Sequence, residues 1–249
     1  MCPRRRTAVG TVFCARQFGS DRGGNLDAIY SGIAAYYSAS AKKFGPTPLG
    51  VDWTCQATQE MRFVQLLKLC DFSSAFSLND LGCGYGALVS YLGRRHLHPP
   101  IDYLGIDVSA SMVRQARQLW DGRARVTFVH GHIVPRTADY ALASGIFNVE
   151  LGQPREEWEK FIRESLDNLH ETSRRGFAVN FMKRLGGIPG REGLYYAEPA
   201  EWARYCANRF GAATELCEDY GMREFTLIVR KRNQAPSDNC RRASSNSRR

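Results

Sequence analysis

Three glycines separated by single residues, Gly82, Gly84 and Gly86, lie in the run Asn79-Asp80-Leu81-Gly82-Cys83-Gly84-Tyr85-Gly86. The apolar stretch from Phe76 to Leu81 reads as a strand, and Ala87–Arg95 reads as a helix. Glycine lets backbone approach a ligand closely and take dihedrals closed to other residues. The first turn of a helix offers N–H groups that have no partner of their own. Asp107 ends the next apolar run, 21 residues beyond Gly86, where a carboxylate can accept both hydroxyls of a ribose. The pattern describes a cleft for an adenosine-bearing ligand. Gly82, Gly84 and Ala87 also satisfy G-x-G-x-x-A, so spacing alone leaves a dinucleotide open. Asp80 weighs against it. An acid two residues before the first glycine repels a diphosphate and attracts a ligand carrying an ammonium and a sulfonium.

The elements that must position these residues follow from hydrophobic period. Strands are expected at Tyr103–Asp107, Arg125–Val129, Asp139–Ala143, Gly176–Met182, Thr214–Tyr220 and Glu224–Arg230, the last two around a turn at Tyr220-Gly221. Helices are expected over 55–70, with Met61, Leu66, Leu67 and Cys70 at helical spacing and Asp52 or Thr54 as cap, and from Ser109 to Trp120. Pro154 opens a longer helix with Trp158, Phe161, Ile162, Leu166 and Leu169 on one face, and Pro199–Phe210 forms another. Residues 183–197 read as a Gly-rich loop, and 25–50 as a polar-aromatic lead-in ending at Gly45-Pro46-Thr47-Pro48. Strands alternating with helices mean a parallel sheet in a layered α/β domain.

Charge sets the ends of the chain apart. The 249 residues carry a net charge of +9. Residues 1–24 supply +4 and 231–249 supply +5, so the body between them is neutral and gives no general case for gripping nucleic acid. The organisation expected is a basic, disordered extension over 1–24, a lid segment over 25–54, the main domain over 55–232 and a basic disordered tail over 233–249. No run approaches the roughly 20 apolar residues of a membrane helix. The start of the chain fits a signal peptide poorly, although its Arg-rich, nearly acid-free composition shares features with transit peptides. The eight cysteines form no CxxC pair and no cluster with histidine, which argues against a zinc site and for reduced thiols in the cytoplasm.

With these motifs in place, the stretch from about 60 to 230 resembles the class I S-adenosylmethionine-dependent methyltransferases. The resemblance rests on Asn79–Gly86, on Leu104-Gly105-Ile106-Asp107-Val108-Ser109 with Met112 and Ala116-Arg117, and on the terminal strand Glu224–Arg230. It implies a Rossmann-like doubly wound sheet of about seven strands, mostly parallel with an antiparallel C-terminal strand. It also implies S-adenosyl-L-methionine as cofactor. The turn Gly82, Cys83, Gly84 and Gly86 would wrap the methionine part, Asp80 would hold its ammonium, Asp107 the ribose, and Val108 and Met112 the adenine. His132, Ile133 and Ser144 complete the expected set. These enzymes often carry Gly-Asp after the third strand; here the pair is Gly131-His132, and a neutral imidazole or nearby backbone must do that work. The lead-in, including Gln59 and Arg62, is similar to an uncharacterised bacterial subgroup. Arg62 is a cation that could meet the cofactor carboxylate.

Methyl transfer asks the protein to align an acceptor and exclude water. A base is needed only for an acceptor of high pKa. Tyr37, Asp52, His130 and His132 are the candidates for that base, and Asn148, after Ser144-Gly145-Ile146-Phe147, could orient the acceptor. The chain lacks the Asn/Asp-Pro-Pro-aromatic motif of amino-methylating DNA enzymes, the Pro-Cys of cytosine C5 enzymes and a metal-binding set for catechols. A small-molecule acceptor, methylated on O or N, is the leading expectation. A nucleic-acid-binding or nucleic-acid-modifying protein using the basic tails, and a nicotinamide-dependent oxidoreductase, are the alternatives.

Overall fold

The computed structural model describes residues 24–96, 98–184 and 190–231. The expectations for 1–23 and 232–249 lie outside them. Seven strands form one sheet: β1 (Phe76–Leu81), β2 (Ile101–Asp107), β3 (Val126–His130), β4 (Ala138–Ala143), β5 (Ser173–Met182), β6 (Ala213–Cys217) and β7 (Glu224–Arg230). Their order is β3-β2-β1-β4-β5-β7-β6. The first five run parallel, and β7 runs against both β5 and β6. This is the expected doubly wound sheet with its antiparallel C-terminal strand. The order reverses beside β1, where β2 lies on one side and β4 on the other. Open α/β sheets bind their ligands at such a switch point, outside the carboxyl ends of the strands.

Among the described residues six α-helices accompany the sheet: α1 (Gly24–Phe44), α2 (Gln56–Leu66), α3 (Ala87–Arg95), α4 (Ala110–Leu119), α5 (Arg155–Glu171) and α6 (Pro199–Phe210). Two cores result. One joins Leu26, Ile29 and Ile33 of α1 and Trp158, Phe161 and Ile162 of α5 to Ala141, Phe177 and Leu227 of the sheet. The other joins Phe63 and Leu66 of α2, Leu88 of α3 and Val113 of α4 to Leu78, Tyr103 and Ile228. Strand residues alternate between these cores, as the pleat requires. Ser109 caps α4 by accepting from the Met112 N–H, as its type and place predict.

Three local readings change. The lead-in contains a 21-residue helix, α1, which the sequence reading did not find. Neither Asp52 nor Thr54 caps α2. Cys55 occupies that position without a side-chain bond, and Asp52 instead ends the short 3-10 turn Pro48–Val51 in a left-handed conformation at φ 61°. Met61 is exposed, while Gln59, Arg62 and Phe63 face inward. Leu66 and Leu67 are buried as expected; Met61 gives way on the inner face to Arg62, which finds a carboxylate inside the protein.

Candidate active site

The glycine turn is bent by its neighbours. Gly82 takes φ 75° and Gly86 φ 81°. The N–H groups of Gly82 and Cys83 both donate to Ile106 O, at 2.7 and 3.1 Å, tying the turn to the end of β2. A Cβ on Gly82 would stand 2.1 Å from Ile146 Cγ2, so no larger residue fits there. Gly86 faces the other way: its Cβ would meet Trp120 Nε1 at 2.6 Å, so its small size serves helix-to-sheet packing.

The parallel register pairs Asp80 with Gly105 and Leu81 with Ile106, which brings Asp80 and Asp107 to one edge of the sheet. Both carboxylates are buried. Asp107 Oδ2 accepts the Gly84 N–H and Oδ1 accepts the Ser109 N–H, each at 2.8 Å. Burial raises its pKa, and those two N–H bonds pull it back. Asp80 Oδ2 accepts the Tyr103 hydroxyl at 2.6 Å. Burial pushes its carboxyl up to about 7; the Tyr103 bond opposes that and the Asp107 charge adds to it. Two buried carboxylates in one place favour a cationic ligand.

A cavity opens over this edge. Its walls bring together Asp80, Gly82, Cys83 and Gly84 of the turn, Asp107, Val108 and Met112 beyond β2, and His132, Ser144 and Tyr37. Gly86, His130 and Ile133 are not in its lining. Ile133 points outward at 58% exposure. His130 is exposed with Nε2 3.1 Å from Val108 O. His132 packs at a tilt of 31° against Tyr30, ring centroids 4.0 Å apart. Although its side chain is exposed, partial desolvation lowers its pKa against the opposing charge of Asp27, which favours the neutral imidazole. The buried Ser144 hydroxyl has no hydrogen-bond partner, and a buried polar atom facing a cavity calls for one. The acid pair, the narrow turn and this hydroxyl fit an adenosyl sulfonium with its amino-acid end.

A second cavity of 640 Å³ adjoins the first. Tyr37, Val51, Trp53 and Gly145 line both. Asn148 belongs to the second cavity alone. Its Oδ1 accepts the Met182 N–H at 3.3 Å, and its buried Nδ2 is unpartnered. Asp52 and Tyr36 line this cavity too. Burial holds the Tyr37 phenol well above its usual range, with the Asp52 charge adding to the effect. Arg62 does not meet the first cavity; it is buried on the wall of the second, paired with Glu224 of β7, which lines that cavity too. That pairing joins residues 162 positions apart, which no local pattern reports. Tyr30 and Ile33 of α1 also wall the first cavity. Their spacing with Leu26 and Ile29 is the sequence signal for this helix.

The comparisons agree with this geometry. Residues 79–171 match the methyltransferase domain family. A Mycobacterium tuberculosis protein assigned as a methyltransferase, Rv1506c, is 43% identical over 166 residues, spanning 66% of this chain and 99% of its own length. Magnesium protoporphyrin IX methyltransferase from Synechocystis PCC 6803, solved with bound S-adenosylmethionine, superposes with TM-score 0.55 at 14% identity, over 86% of this chain and 100% of that one. A S-adenosylmethionine-dependent methyltransferase from Aquifex aeolicus gives TM-score 0.52 at 19% identity, over 78% of this chain and 97% of the other. Sequence kinship over the whole of the mycobacterial relative, the strand order and the acid–glycine edge converge: the chain belongs to the class I S-adenosylmethionine-dependent methyltransferases.

Proposed function

We propose that the protein transfers the methyl group of S-adenosylmethionine to an O or N atom of a small-molecule acceptor. The observation that carries this reading is the second cavity. It abuts the first at the carboxyl ends of the strands, and its volume lies within the roughly 300–1,000 Å³ of small-ligand sites. The cofactor would supply a methyl on a sulfonium, and the thioether that departs as S-adenosylhomocysteine needs no further activation. The chain's own residues then bind, orient and exclude water. Asp80 meets the ammonium, Asp107 the ribose hydroxyls, and Val108, Met112 and neutral His132 the adenine. Cys83 and the glycines let backbone lie close, and Ser144 gains the partner it lacks. Residues 25–54 act as a cover through Tyr30, Ile33, Tyr37, Val51 and Trp53, which keep water from the reacting atoms. Asn148 Nδ2 donates to the acceptor, and Asp52 is placed to take its proton where the acceptor is a hydroxyl.

Among the described residues no helix is long and apolar enough to cross a membrane. The cysteine spacing supports a cytoplasmic setting. The reading is tested by incubating purified protein with methyl-tritiated cofactor and a cell extract, then separating small molecules, proteins and nucleic acids. Label in the small-molecule fraction is expected. Label confined to nucleic acid or protein would overturn the acceptor class.

A further inference from the structure

A closed circuit of contacts runs through Trp53 at the seam between the two cavities. The Arg62 guanidinium lies over the indole, 3.5 Å from its centroid. Arg62 Nε donates to Glu224 Oε1 and Oε2 at 3.0 and 2.8 Å, and Nη2 adds a further bond to Oε1. Asn180 Nδ2 donates to Glu224 Oε2 at 2.9 Å. Asn180 Oδ1 accepts the Gly145 N–H at 2.8 Å. Gly145 returns the circuit to its start, since a Cβ there would stand 2.3 Å from Trp53 Cζ2. Arg62, Asn180 and Glu224 are 5%, 0% and 3% exposed.

Burying a charged pair seldom gains stability over apolar residues of the same size. What the pair does supply is geometry, because the guanidinium is a flat, rigid fork that can bind a carboxylate and stack on a ring at once. The members come from α2, β5, β7 and the loop after β4, so the indole is referenced to the sheet on both sides. Trp53 itself belongs to neither hydrophobic core. It is half-buried, and it lines both cavities. Its fixed pose therefore serves the seam and not the packing of the fold.

We propose that Trp53 is the specificity-determining wall between cofactor and acceptor, and that Arg62, Asn180 and Glu224 are positioning residues that hold it there. The proposal rests on the methyl-transfer reading of the two cavities. An acceptor must pass the indole edge to reach the methyl, so the pose of one ring sets the size of what can react.

The test is acrylamide quenching of tryptophan fluorescence on the full chain, with and without S-adenosylhomocysteine, in wild type, W53F, R62K and R62M/E224Q. The wild-type signal minus that of W53F isolates the indole at 53. R62K keeps a cation for Glu224 and loses the flat group over the ring. R62M/E224Q removes both charges together and leaves Asn180 its acceptor. In ligand-free R62K and R62M/E224Q, quenching of Trp53 should rise, while S-adenosylhomocysteine binding by calorimetry is retained. In wild type, S-adenosylhomocysteine should lower it. Unchanged Trp53 quenching in folded R62K would overturn the positioning role, and R62K decides alone if the double variant fails to fold. Calorimetric binding of S-adenosylhomocysteine that leaves Trp53 quenching unaltered would overturn the wall. Absence of calorimetric binding would instead sink the methyl-transfer reading, with the ligand-free comparison still judging the ring.

Discussion

Asp80 is the residue whose chemistry is most exposed to test. Burial holds its carboxyl near 7, against an ordinary value of 3.8. The folded protein thus binds more protons than the unfolded chain between those values, so this group's contribution to stability falls as pH rises from about 4 to 7 and then levels off. A cation beside Asp80 reverses the preference, because it favours the carboxylate. Binding of S-adenosylhomocysteine, which keeps the ammonium, should therefore release a proton below pH 7, and its affinity should weaken as pH falls from about 8 to 6. Calorimetry in two buffers of different ionisation enthalpy measures that proton. Asp80→Asn should flatten the profile; a flat profile in the wild type would remove Asp80 from the ammonium. Asp107 answers to a different measurement. Asp107→Ala loses the ribose bonds and unpairs the Gly84 and Ser109 N–H groups, a loss on the order of 1–3 kcal/mol. Cofactor affinity should drop about 5- to 150-fold, and an unchanged dissociation constant would place the ribose elsewhere.

At the scale of elements, α1 makes the sharpest claim. Leu26, Ile29, Ile33 and Ala41 are buried on one side of it, with half-buried Tyr37 continuing the line. Ile29 is 1% exposed, so Ile29→Ala should cost about 2–5 kcal/mol by transfer and cavity terms. A melting temperature equal to wild type would show that α1 does not dock as described. The same helix shows what the sequence made legible. β1, α3, β2 and α4 were readable because period, glycines and the Ser109 cap all agree locally. α1 carries an equally regular set at 26, 29, 33, 37 and 41, but its alanines, serines and tyrosines dilute the contrast between faces. The site divided along the same line. The strand, turn and helix around Asp80 and the glycines are local and legible, and so is the place of Asn148 after β4. Arg62, Asn180 and Glu224 meet only through the β5–β7 pairing, which sets Met182 opposite Glu224. A lone arginine on a helix gives no hint of a carboxylate 162 residues away.

For the whole molecule, charge and fold separate. The net charge of +9 comes from residues 1–24 and 231–249, and the neutral stretch between them contains the seven described strands and the two cavities of the site. Stability of such a domain comes chiefly from its buried apolar area, here the two cores on either side of the sheet. A composition of like charges with few apolar residues gives a segment little with which to extend such a core. A chain trimmed to 25–232 should accordingly melt within a few degrees of full length and bind S-adenosylhomocysteine equally well. What it should lose is salt-sensitive retention on an anionic matrix such as heparin or duplex DNA, because the cations that release counterions have been removed. The two measurements discriminate between roles for the ends. A large fall in melting temperature would mean that one end packs on the domain. Full retention of the salt-sensitive binding would mean instead that the neutral body carries a basic patch of its own, and would return nucleic acid to the list of acceptors.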